Sequence, residues 1–519
     1  MKRRDFLGTG AALSLPLMLN GFGMGVLSSK RMQSMIDEDS DRILVLVQLN
    51  GGNDGLNTVF SYDQFANLAN VRSNIILPES SLLDLDGERG LHPAMTGIKE
   101  VWDNGYLGVI QGVAYPNQNR SHFRSMDIWN TASEADEYRQ TGWLGRYFDL
   151  DHQGYPEGYP NAQYPDPFAI TVGGGISETC QGSGGSYCLS IIDPLNPGRI
   201  NIGQESTAPD NCYGNELEYV RSVAAQANSY ADILQDSAEG GTNLSDKYED
   251  NNPISQKLKT VAKLISGGLQ TKVYVVSIGG FDLHSAQVDP INTQGGRHAE
   301  LLGQLSNAIC AFQDDLVKQG LDKRVLGMTY SEFGRQIRSN ASDGTDHGTA
   351  APMFLFGSCV NGGFLGEDPE IDTQVEQQEG VAMQYDFRSI YGTIFMDWFQ
   401  VEEDTVKEIL FDDFQYLPLL HDCKLVSNEE DPELVMEVKS FPNPFSNYLQ
   451  VQFTLQESDQ MHLGLFNALG AEVKALSRQS LAAGNHQLQI ETRDLPAGNY
   501  FLRVSGKTRQ KTLKLVKIL

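Results

Sequence analysis

The stretch that decides the fold is residues 42–57, RILVLVQLNGGNDGLN. Its first eight residues form a nearly continuous run of Val, Ile and Leu, which is typical of a strand buried on both faces of a parallel sheet. The glycines that follow permit a tight turn, and Asn53 and Asp54 offer hard oxygen ligands. An ordinary turn tolerates the same residues, so this segment alone leaves a turn and a ligand-binding loop equally open.

Outward from this strand, short apolar runs alternate with longer helical patterns, which predicts a doubly wound α/β sheet. Further strands are predicted at 107–111, 168–172, 272–278, 324–330 and 353–356, and helices at 213–235, 254–265, 296–319 and 387–399. Residues 152–210 are rich in Gly, Pro, Tyr and Asn and lack periodicity. We therefore expect that segment to be an excursion over the surface.

The C-terminal part changes character. Residues 426–437 form an acidic segment that predicts a linker, and residues 438–519 contain short runs that alternate apolar and polar side chains, such as Leu449 to Leu455. This alternation predicts a small antiparallel β-sandwich. Since 519 residues exceed what one core usually supports, we expect a core at 41–425 and a separate sandwich at 438–519.

The charge balance limits the partners. With 39 basic and 67 acidic residues the net charge is −28, which disfavours nucleic acid and anionic lipid as partners. Residues 1–30 open with Arg3-Arg4 before an apolar stretch, the layout of an export signal. Because Pro16, Asn20 and several glycines interrupt that stretch, we do not expect a permanent membrane span.

The six cysteines show no zinc-finger spacing and no CxxC pair. A disulfide between Cys180 and Cys188 is one possibility in an exported protein, but six cysteines allow fifteen connectivities and the sequence does not choose among them.

Polar residues follow several predicted strands, at the edge where open α/β sheets bind ligands. Asp282 and His284 follow one strand, Glu332 follows another, and Asp346 and His347 are adjacent between glycines. A lone histidine is usually structural, but two Asp/His pairs and a Glu after separate elements favour a site for zinc or a related divalent metal. The predicted metal ligands are Asp54, Asp282, His284, Glu332, Asp346 and His347.

Four motifs resemble an exported bacterial family known as domain of unknown function 1501: GGNDGLN at 51–57, GFDLH at 280–284, EFGR at 332–335 and GTDHG at 344–348. The resemblance covers roughly residues 41–420 and includes a start similar to the twin-arginine signal. This family is grouped with the alkaline phosphatase and sulfatase superfamily. The grouping implies an alkaline-phosphatase-like core that binds two metal ions. The Asp/His ligand chemistry favours zinc, with manganese, magnesium or calcium as alternatives.

In that superfamily a Ser, Thr or modified Cys at a helix N-terminus attacks a phosphate or sulfate ester. By this resemblance Ser121 is the candidate nucleophile and His122 a catalytic group, although His122 is open as a metal ligand or a packed residue and Ser121 as a simple helix cap. Candidates for substrate binding are Arg120, Arg124, Arg335 and Asn53. No cysteine precedes Cys180, so a formylglycine made from cysteine near Ser121 is excluded, and the usual alkaline phosphatase nucleophile motif is absent.

The C-terminal motifs FPNPF at 441–445, LFNALG at 465–470 and LPAGNY at 495–500, with the basic terminus 511–519, resemble the type A sorting domain of type IX secretion. This resemblance implies export through the periplasm and across the outer membrane in the Bacteroidetes manner, with the sorting machinery as partner. The protein would then be displayed at the cell surface or released. An ordinary carbohydrate-binding or interaction sandwich is the alternative, which the missing aromatic platform disfavours.

Together these features predict an exported, metal-dependent hydrolase of a phosphate or related ester, acting on a small-molecule or polymer substrate. The alternative is a non-catalytic surface binding protein on the same scaffold.

Overall fold

This computed structural model describes residues 18–19, 22–23, 41–152, 154–198, 207–411, 413–421, 438–443, 445–455, 458–467, 472–493, 495–505 and 510–517. Of the predicted signal segment 1–30, it describes only an antiparallel pair formed by Met18–Leu19 and Phe22–Gly23. The predicted linker 426–437 lies outside the described residues. No helix within the described ranges is long and apolar enough to cross a membrane.

A nine-stranded mixed sheet forms the centre of the α/β part. Its strands are β1 Ile43–Asn50, β2 Leu107–Ala114, β3 Ala169–Val172, β4 Cys188–Ile191, β5 Val273–Gly279, β6 Val325–Tyr330, β7 Ala351–Phe356, β8 Gly363–Leu365 and β9 Tyr385–Asp386. The order across the sheet is β8-β2-β7-β6-β1-β5-β3-β4, and β9 pairs with β2. Only β7, among these described strands, runs antiparallel to its neighbours. The strand of the opening motif, β1, therefore lies between parallel strands β5 and β6.

Helices cover both faces of this sheet. They are α1 Phe65–Val71, α2 Thr96–Asp103, α3 His122–Thr131, α4 Trp143–Asp151, α5 Cys212–Gly240, α6 Pro253–Ser266, α7 Arg297–Gln319, α8 Phe387–Thr393 with a π-helical turn Ile394–Trp398, and α9 Glu403–Ile409. Side chains alternate across a strand. Leu44 and Leu46 of β1 accordingly pack with α3, α4, α8 and α9, whereas Ile43, Val45 and Val47 pack with α2, α5, α6 and α7. The predicted α/β sheet with helices on both faces is confirmed.

Smaller elements complete the α/β part. Short 3₁₀ turns lie at Gly55–Asn57, Glu79–Ser81, Glu178–Cys180 and Asp322–Arg324, and a small antiparallel sheet joins Val59–Ser61, Leu83–Asp84 and Arg89–Leu91.

The segment 152–210, expected to be a surface excursion, is partly a continuation of the sheet. Its residues form β3, which the sequence predicted, and the edge strand β4, which it did not. Aromatic rings pack the surrounding loop, with the centroids of Tyr155 and Tyr187 4.0 Å apart. Packing of tyrosines from irregular backbone leaves no periodic pattern in the sequence, so β4 was missed.

Four of the five cysteines in the described ranges are free thiols. Cys180 and Cys188 are buried free thiols, as is Cys310, and the exposed Cys212 is also free. Cys359 is disulfide-bonded. The disulfide considered between Cys180 and Cys188 is therefore not formed in this structure.

The C-terminal strands are β10 Val438–Phe441, β11 Tyr448–Leu455, β12 Asp459–Asn467, β13 Glu472–Leu481, β14 Gly484–Glu491, β15 Gly498–Ser505 and β16 Gln510–Lys517. They form one antiparallel sheet in the order β10-β11-β14 and another in the order β13-β12-β15-β16. Both sheets supply the same apolar core, to which β11 contributes Leu449, Val451 and Phe453. The predicted small antiparallel sandwich is confirmed.

Candidate metal centre

The candidate metal centre lies where the parallel strands β1, β5 and β6 end. The loops that follow these strands touch: the Gly51 amide donates to Glu332 Oε1 at 2.9 Å, and a Cβ on Gly51 would lie 2.3 Å from the Asp282 amide nitrogen. Gly51 also adopts a φ of +121°, which side chains rarely permit. The glycine is therefore required for the first two motifs to meet.

Three imidazoles surround one carboxylate at this edge. The Nε2 atoms of His284 and His347 lie 3.1 and 3.2 Å from Asp282 Oδ1, and His122 Nε2 lies 3.4 Å from Asp282 Oδ2. The two Nε2 atoms of His284 and His347 are 2.9 Å apart. Of these residues, His122, Asp282 and His347 can each offer one ligand atom within 4.8 Å of the others.

The opposite nitrogen of each ring is held by an acceptor. His347 Nδ1 lies 2.8 Å from the Arg120 carbonyl oxygen, which only accepts hydrogen bonds. His122 Nδ1 lies 2.7 Å from Glu332 Oε1, and His284 Nδ1 lies 2.7 Å from Asp346 Oδ1. Each Nδ1 therefore donates a hydrogen bond, and the Nε2 atoms of the three rings face Asp282.

The electrostatics of this cluster favour a cation. Burial lowers the pKa of His347, which favours its neutral, ligating form. Burial alone would raise the pKa of Asp282, but other effects, the hydrogen bond from Arg335 foremost, more than offset it and hold this pKa at about 2. His122 Nε2 is buried and has no hydrogen-bond partner in the described part of the chain. Lone pairs and a carboxylate that face one another suit a divalent metal ion.

The structure gives two of the predicted ligands a different position. Glu332 and Asp346 accept from imidazole Nδ1 atoms, on the side of each ring away from the cluster. The hydrogen bond from His284 lowers the pKa of Asp346, so this carboxyl is an ionised acceptor. Carboxylates in such places orient metal-ligating histidines. His122, predicted as a catalytic group and left open as a ligand, directs its Nε2 to Asp282 like the other two imidazoles.

Asp54 is not brought to the cluster. Its carboxylate is 3% exposed, and its two oxygens lie 2.9 and 2.8 Å from Arg72 Nη1. Gln287 Nε2 also donates to Asp54 at 2.7 Å. Burial raises the pKa of Asp54, but the charge of Arg72, together with smaller effects of His298 and of the hydrogen bonds from Gln287 and Arg72, lowers it by more. The guanidinium already neutralises this predicted metal ligand.

Most of the predicted substrate-binding residues are engaged elsewhere. Arg335 is fully buried and donates to Asp282 Oδ1 at 2.8 Å and to backbone carbonyls, so it positions that carboxylate. Arg124 bonds Asp127 and the carbonyls of the loop at 134–137, and its guanidinium lies 3.9 Å above the ring of Tyr138. Asn53 is buried and hydrogen-bonded to Thr58 and His298.

Ser121 and Arg120 remain at the rim. The residues on either side of Ser121 are held by hydrogen bonds: the Arg120 carbonyl contacts His347, and the His122 ring contacts Glu332. Ser121 itself is exposed. Ser121 occupies the N-cap position of α3, but its side chain makes no cap hydrogen bond. The Arg120 guanidinium donates to the Gln378 carbonyl at 2.8 Å and is partly exposed.

Sequence reasoning missed two residues of this site. The buried Phe333 lies under the cluster, with ring centroids 4.9 Å from His122 and 4.7 Å from His347. Asn340 donates to Asp346 Oδ1 at 3.2 Å and to the His284 carbonyl at 2.9 Å. Phe333 belongs to the EFGR motif at 332–335, and this position next to Glu332 could have indicated it. Asn340 lies in a loop outside the four motifs, so nothing in the sequence indicated it.

Fold and site define an α/β protein with a histidine-rich candidate metal centre and a C-terminal β-sandwich. Residues 214–396 match the family described as "Protein of unknown function (DUF1501)", and residues 439–518 match the secretion system C-terminal sorting domain. Both resemblances seen in the sequence are thereby confirmed. The sorting domain indicates export, followed by attachment to the cell surface or release.

Solved structures with similar chains include Ps i-CgsB in complex with k-i-k-neocarrahexaose, at 8% identity and a TM-score of 0.33, with 80% of this chain and 83% of that chain covered. A protein in the alkaline phosphatase superfamily from Vibrio parahaemolyticus has 9% identity, a TM-score of 0.30 and coverages of 80% and 76%. A sulfatase from Pseudoalteromonas sp. has 9% identity, a TM-score of 0.29 and coverages of 89% and 86%. A comparison with curated proteins finds no match.

Proposed function

We propose that the chain is an exported, metal-dependent hydrolase of a phosphate or related ester. One observation carries the proposal: three imidazoles, each with its Nδ1 proton fixed by an acceptor, turn their Nε2 atoms towards the Asp282 carboxylate. Pairs of an imidazole and an orienting acceptor are characteristic of metal sites in proteins.

We assign one divalent ion to His122, Asp282 and His347, with the adjacent His284 as a fourth ligand. Three nitrogen ligands and one oxygen ligand suit zinc or a related transition metal, whereas magnesium and calcium prefer oxygen ligands alone. When bound, such an ion polarises an ester oxygen and offsets negative charge on the substrate. The positive charge of the ion would also counter the repulsion between an anionic substrate and a chain whose net charge is −28.

The second ion implied by the superfamily resemblance does not fit the described residues. Asp54, one of the predicted metal ligands, is buried against the Arg72 guanidinium and the Gln287 amide. A divalent ion at that place would have to displace a buried, hydrogen-bonded cation. We therefore assign one ion to the centre and a structural ion pair to Asp54.

The chain itself supplies the remaining functions. Side chains of Asp282 and His284 are 47% and 45% exposed, so a substrate can reach the centre from solvent. Ser121 presents its hydroxyl at the rim as the nucleophile, and Arg120 binds an anionic oxygen of the ester. Glu332, Asp346 and the Arg120 carbonyl keep the three rings oriented.

A non-catalytic, metal-dependent surface binding protein is the second candidate. The observation that favours it is that the Ser121 hydroxyl makes no hydrogen bond to a base in the described part of the chain. An activated serine usually contacts such a base, although catalytic hydrogen bonds often form only with substrate bound.

Hydrolysis of p-nitrophenyl phosphate, bis-p-nitrophenyl phosphate and p-nitrophenyl sulfate by the purified full chain tests the proposal. We expect turnover that a chelator abolishes and zinc or manganese restores. His347→Ala should lose metal and activity together, while Ser121→Ala should lose activity and keep the metal. His486→Ala, in the sandwich strand β14, is the matched control and should change neither.

Turnover that persists in Ser121→Ala would show that the nucleophile is another group. A fully metal-loaded wild-type chain without turnover of any ester in a broad screen would favour the binding protein. Turnover that is insensitive to chelator and to His347→Ala contradicts the proposed function altogether.

A further inference from the structure

A polar cavity of about 530 Å³ opens beside the candidate metal centre. Its walls come from three loops, residues 70–74, 338–341 and 373–375. Asn340 joins the cavity to the centre, because it lines the cavity and also donates to Asp346 and to the His284 carbonyl. A ligand that fills the cavity therefore lies one side chain away from Asp346, the carboxylate that contacts the ring of His284.

The lining is chemically uniform. Apart from Arg338, Val71, Val375 and Ala341, the lining residues carry amide or hydroxyl side chains: Asn70, Ser73, Asn74, Ser339, Asn340, Thr373 and Gln374. Such groups both donate and accept, as sugar hydroxyls do. The apolar part of the described lining is limited to Val71, Ala341 and Val375, so a lipid does not match the cavity.

The charge of the cavity differs from that of the chain. Although the chain has 67 acidic residues, none of the described lining residues is Asp or Glu, and the charged residue among them is Arg338. Arg338 is exposed and donates through Nη1 to the Val375 carbonyl at 3.2 Å, which leaves further guanidinium donors for a ligand. Arg338 thus offers a cationic hydrogen-bond donor to an anionic group in the cavity.

One wall of the cavity is already fixed in place. Asn74 Nδ2 donates to the Asn340 carbonyl at 3.0 Å and to Asp343 Oδ1 at 2.8 Å, and Ser339 Oγ donates to Asn74 Oδ1 at 2.5 Å. The loop that carries Asn340 is therefore tied to the loop after α1. Such fixed polar groups lose little conformational freedom when a ligand binds.

We propose that this cavity binds the saccharide part of the substrate, and that Arg338 contacts an anionic group on that saccharide. The inference rests on the proposed function for the reaction, since the ester would be cleaved at the adjacent centre. Binding in the cavity does not itself require the metal, because no lining residue is a candidate metal ligand.

Isothermal titration calorimetry of the full chain with a sulfated tetrasaccharide derived from heparin tests this inference. We expect saturable binding to the wild type and to His347→Ala, and roughly tenfold weaker binding to Arg338→Gln, as for the loss of one charge-assisted hydrogen bond. Arg297→Gln is the matched control: Arg297 is also exposed and paired only with Glu300 among the described residues, and it should bind like the wild type. Maltotetraose, which is neutral, should bind more weakly than the sulfated probe.

Three results overturn the inference: no binding of the sulfated tetrasaccharide, equal weakening by Arg338→Gln and Arg297→Gln, or inorganic sulfate binding as tightly as the tetrasaccharide. The last result would mean a simple anion site. Binding that survives while every metal and turnover assay fails would refute the proposed function and leave the saccharide cavity standing.

Discussion

Replacing Arg72 by Met should destabilise the α/β part strongly. The guanidinium is fully buried and meets both oxygens of Asp54, and it also donates to the carbonyls of Ile337 and Gln336 at 2.6 Å each. Methionine has a similar length without the charge, so the Asp54 carboxylate would be left buried with only the Gln287 amide. Breaking a buried pair in this way typically costs about 3–5 kcal/mol.

The size of this loss should depend on pH. In the wild type the lowered pKa of Asp54 contributes stability above its unfolded value of 3.8, and this contribution is lost as the pH falls through the folded pKa. In Arg72→Met, burial is no longer opposed by the guanidinium, so the carboxyl is expected to take up a proton. The difference in free energy of unfolding should therefore be largest near pH 7 and shrink towards pH 4.

Urea denaturation followed by tryptophan fluorescence measures this difference. All four tryptophans precede residue 400, so the signal reports the α/β part and not the sandwich. Arg72→Met/Asp54→Asn should recover part of the loss, because the stranded charge is gone. Arg297→Met, which breaks an exposed pair, should cost under about 1 kcal/mol. An Arg72→Met loss as small as this control would refute the assignment of Arg72 as the counter-charge of Asp54.

Three further predictions concern residues around the centre. Burial lowers the pKa of His298 to about 4, so protonation favours the unfolded state and wild-type stability should fall as the pH drops from about 6.5 to 4. His298→Gln should flatten the dependence of the free energy of unfolding on pH, measured by urea titrations. An unchanged dependence would contradict a neutral, buried His298. Glu332→Gln should weaken metal affinity by about 10- to 100-fold in a chelator competition, since it orients a ligating imidazole, and unchanged affinity would show that this orientation is dispensable. Gly51→Ala should lower the melting temperature by more than Gly105→Ala, because both glycines have positive φ but, of the two, only Gly51 faces backbone atoms within 4 Å. Equal shifts of the melting temperature would argue against the close approach of the first two motifs.

The sequence was sufficient for the fold class because its main signals are local. The apolar run of β1 predicts a strand buried on both faces, and the period of the later helices is equally clear. Strand β4 gave no such signal, since it is short and lies in a loop that tyrosine rings stabilise. Order across the sheet depends on contacts between distant segments and was not predicted.

The sequence also indicated which segments meet at the candidate site, but not what each side chain does there. Parallel strands β1, β5 and β6 bring their following loops to one edge, as expected. Asp346 and His347 are adjacent in the chain, yet His347 points its Nε2 at the cluster while Asp346 lies behind His284. Orientation of this kind depends on packing and hydrogen bonds that a motif does not encode.

Arg72 illustrates the same limit. It belongs to none of the four motifs and lies 18 residues after Asp54, and only the fold shows that the two meet in the interior.

The domain limits 1–30, 41–425, 426–437 and 438–519, and the twin-arginine character of the start, stay predictions.

Elemental analysis of the purified full chain after identical dialysis tests the central claim most directly. The wild type should hold about one equivalent of zinc or another transition metal per chain, and His284→Ala/His347→Ala should hold none, because both removed imidazoles face Asp282. His486→Ala should match the wild type. A wild-type chain that holds no metal even after reconstitution, or a double variant that holds as much as the wild type, would contradict the metal centre; two equivalents in the wild type would contradict the single-ion assignment.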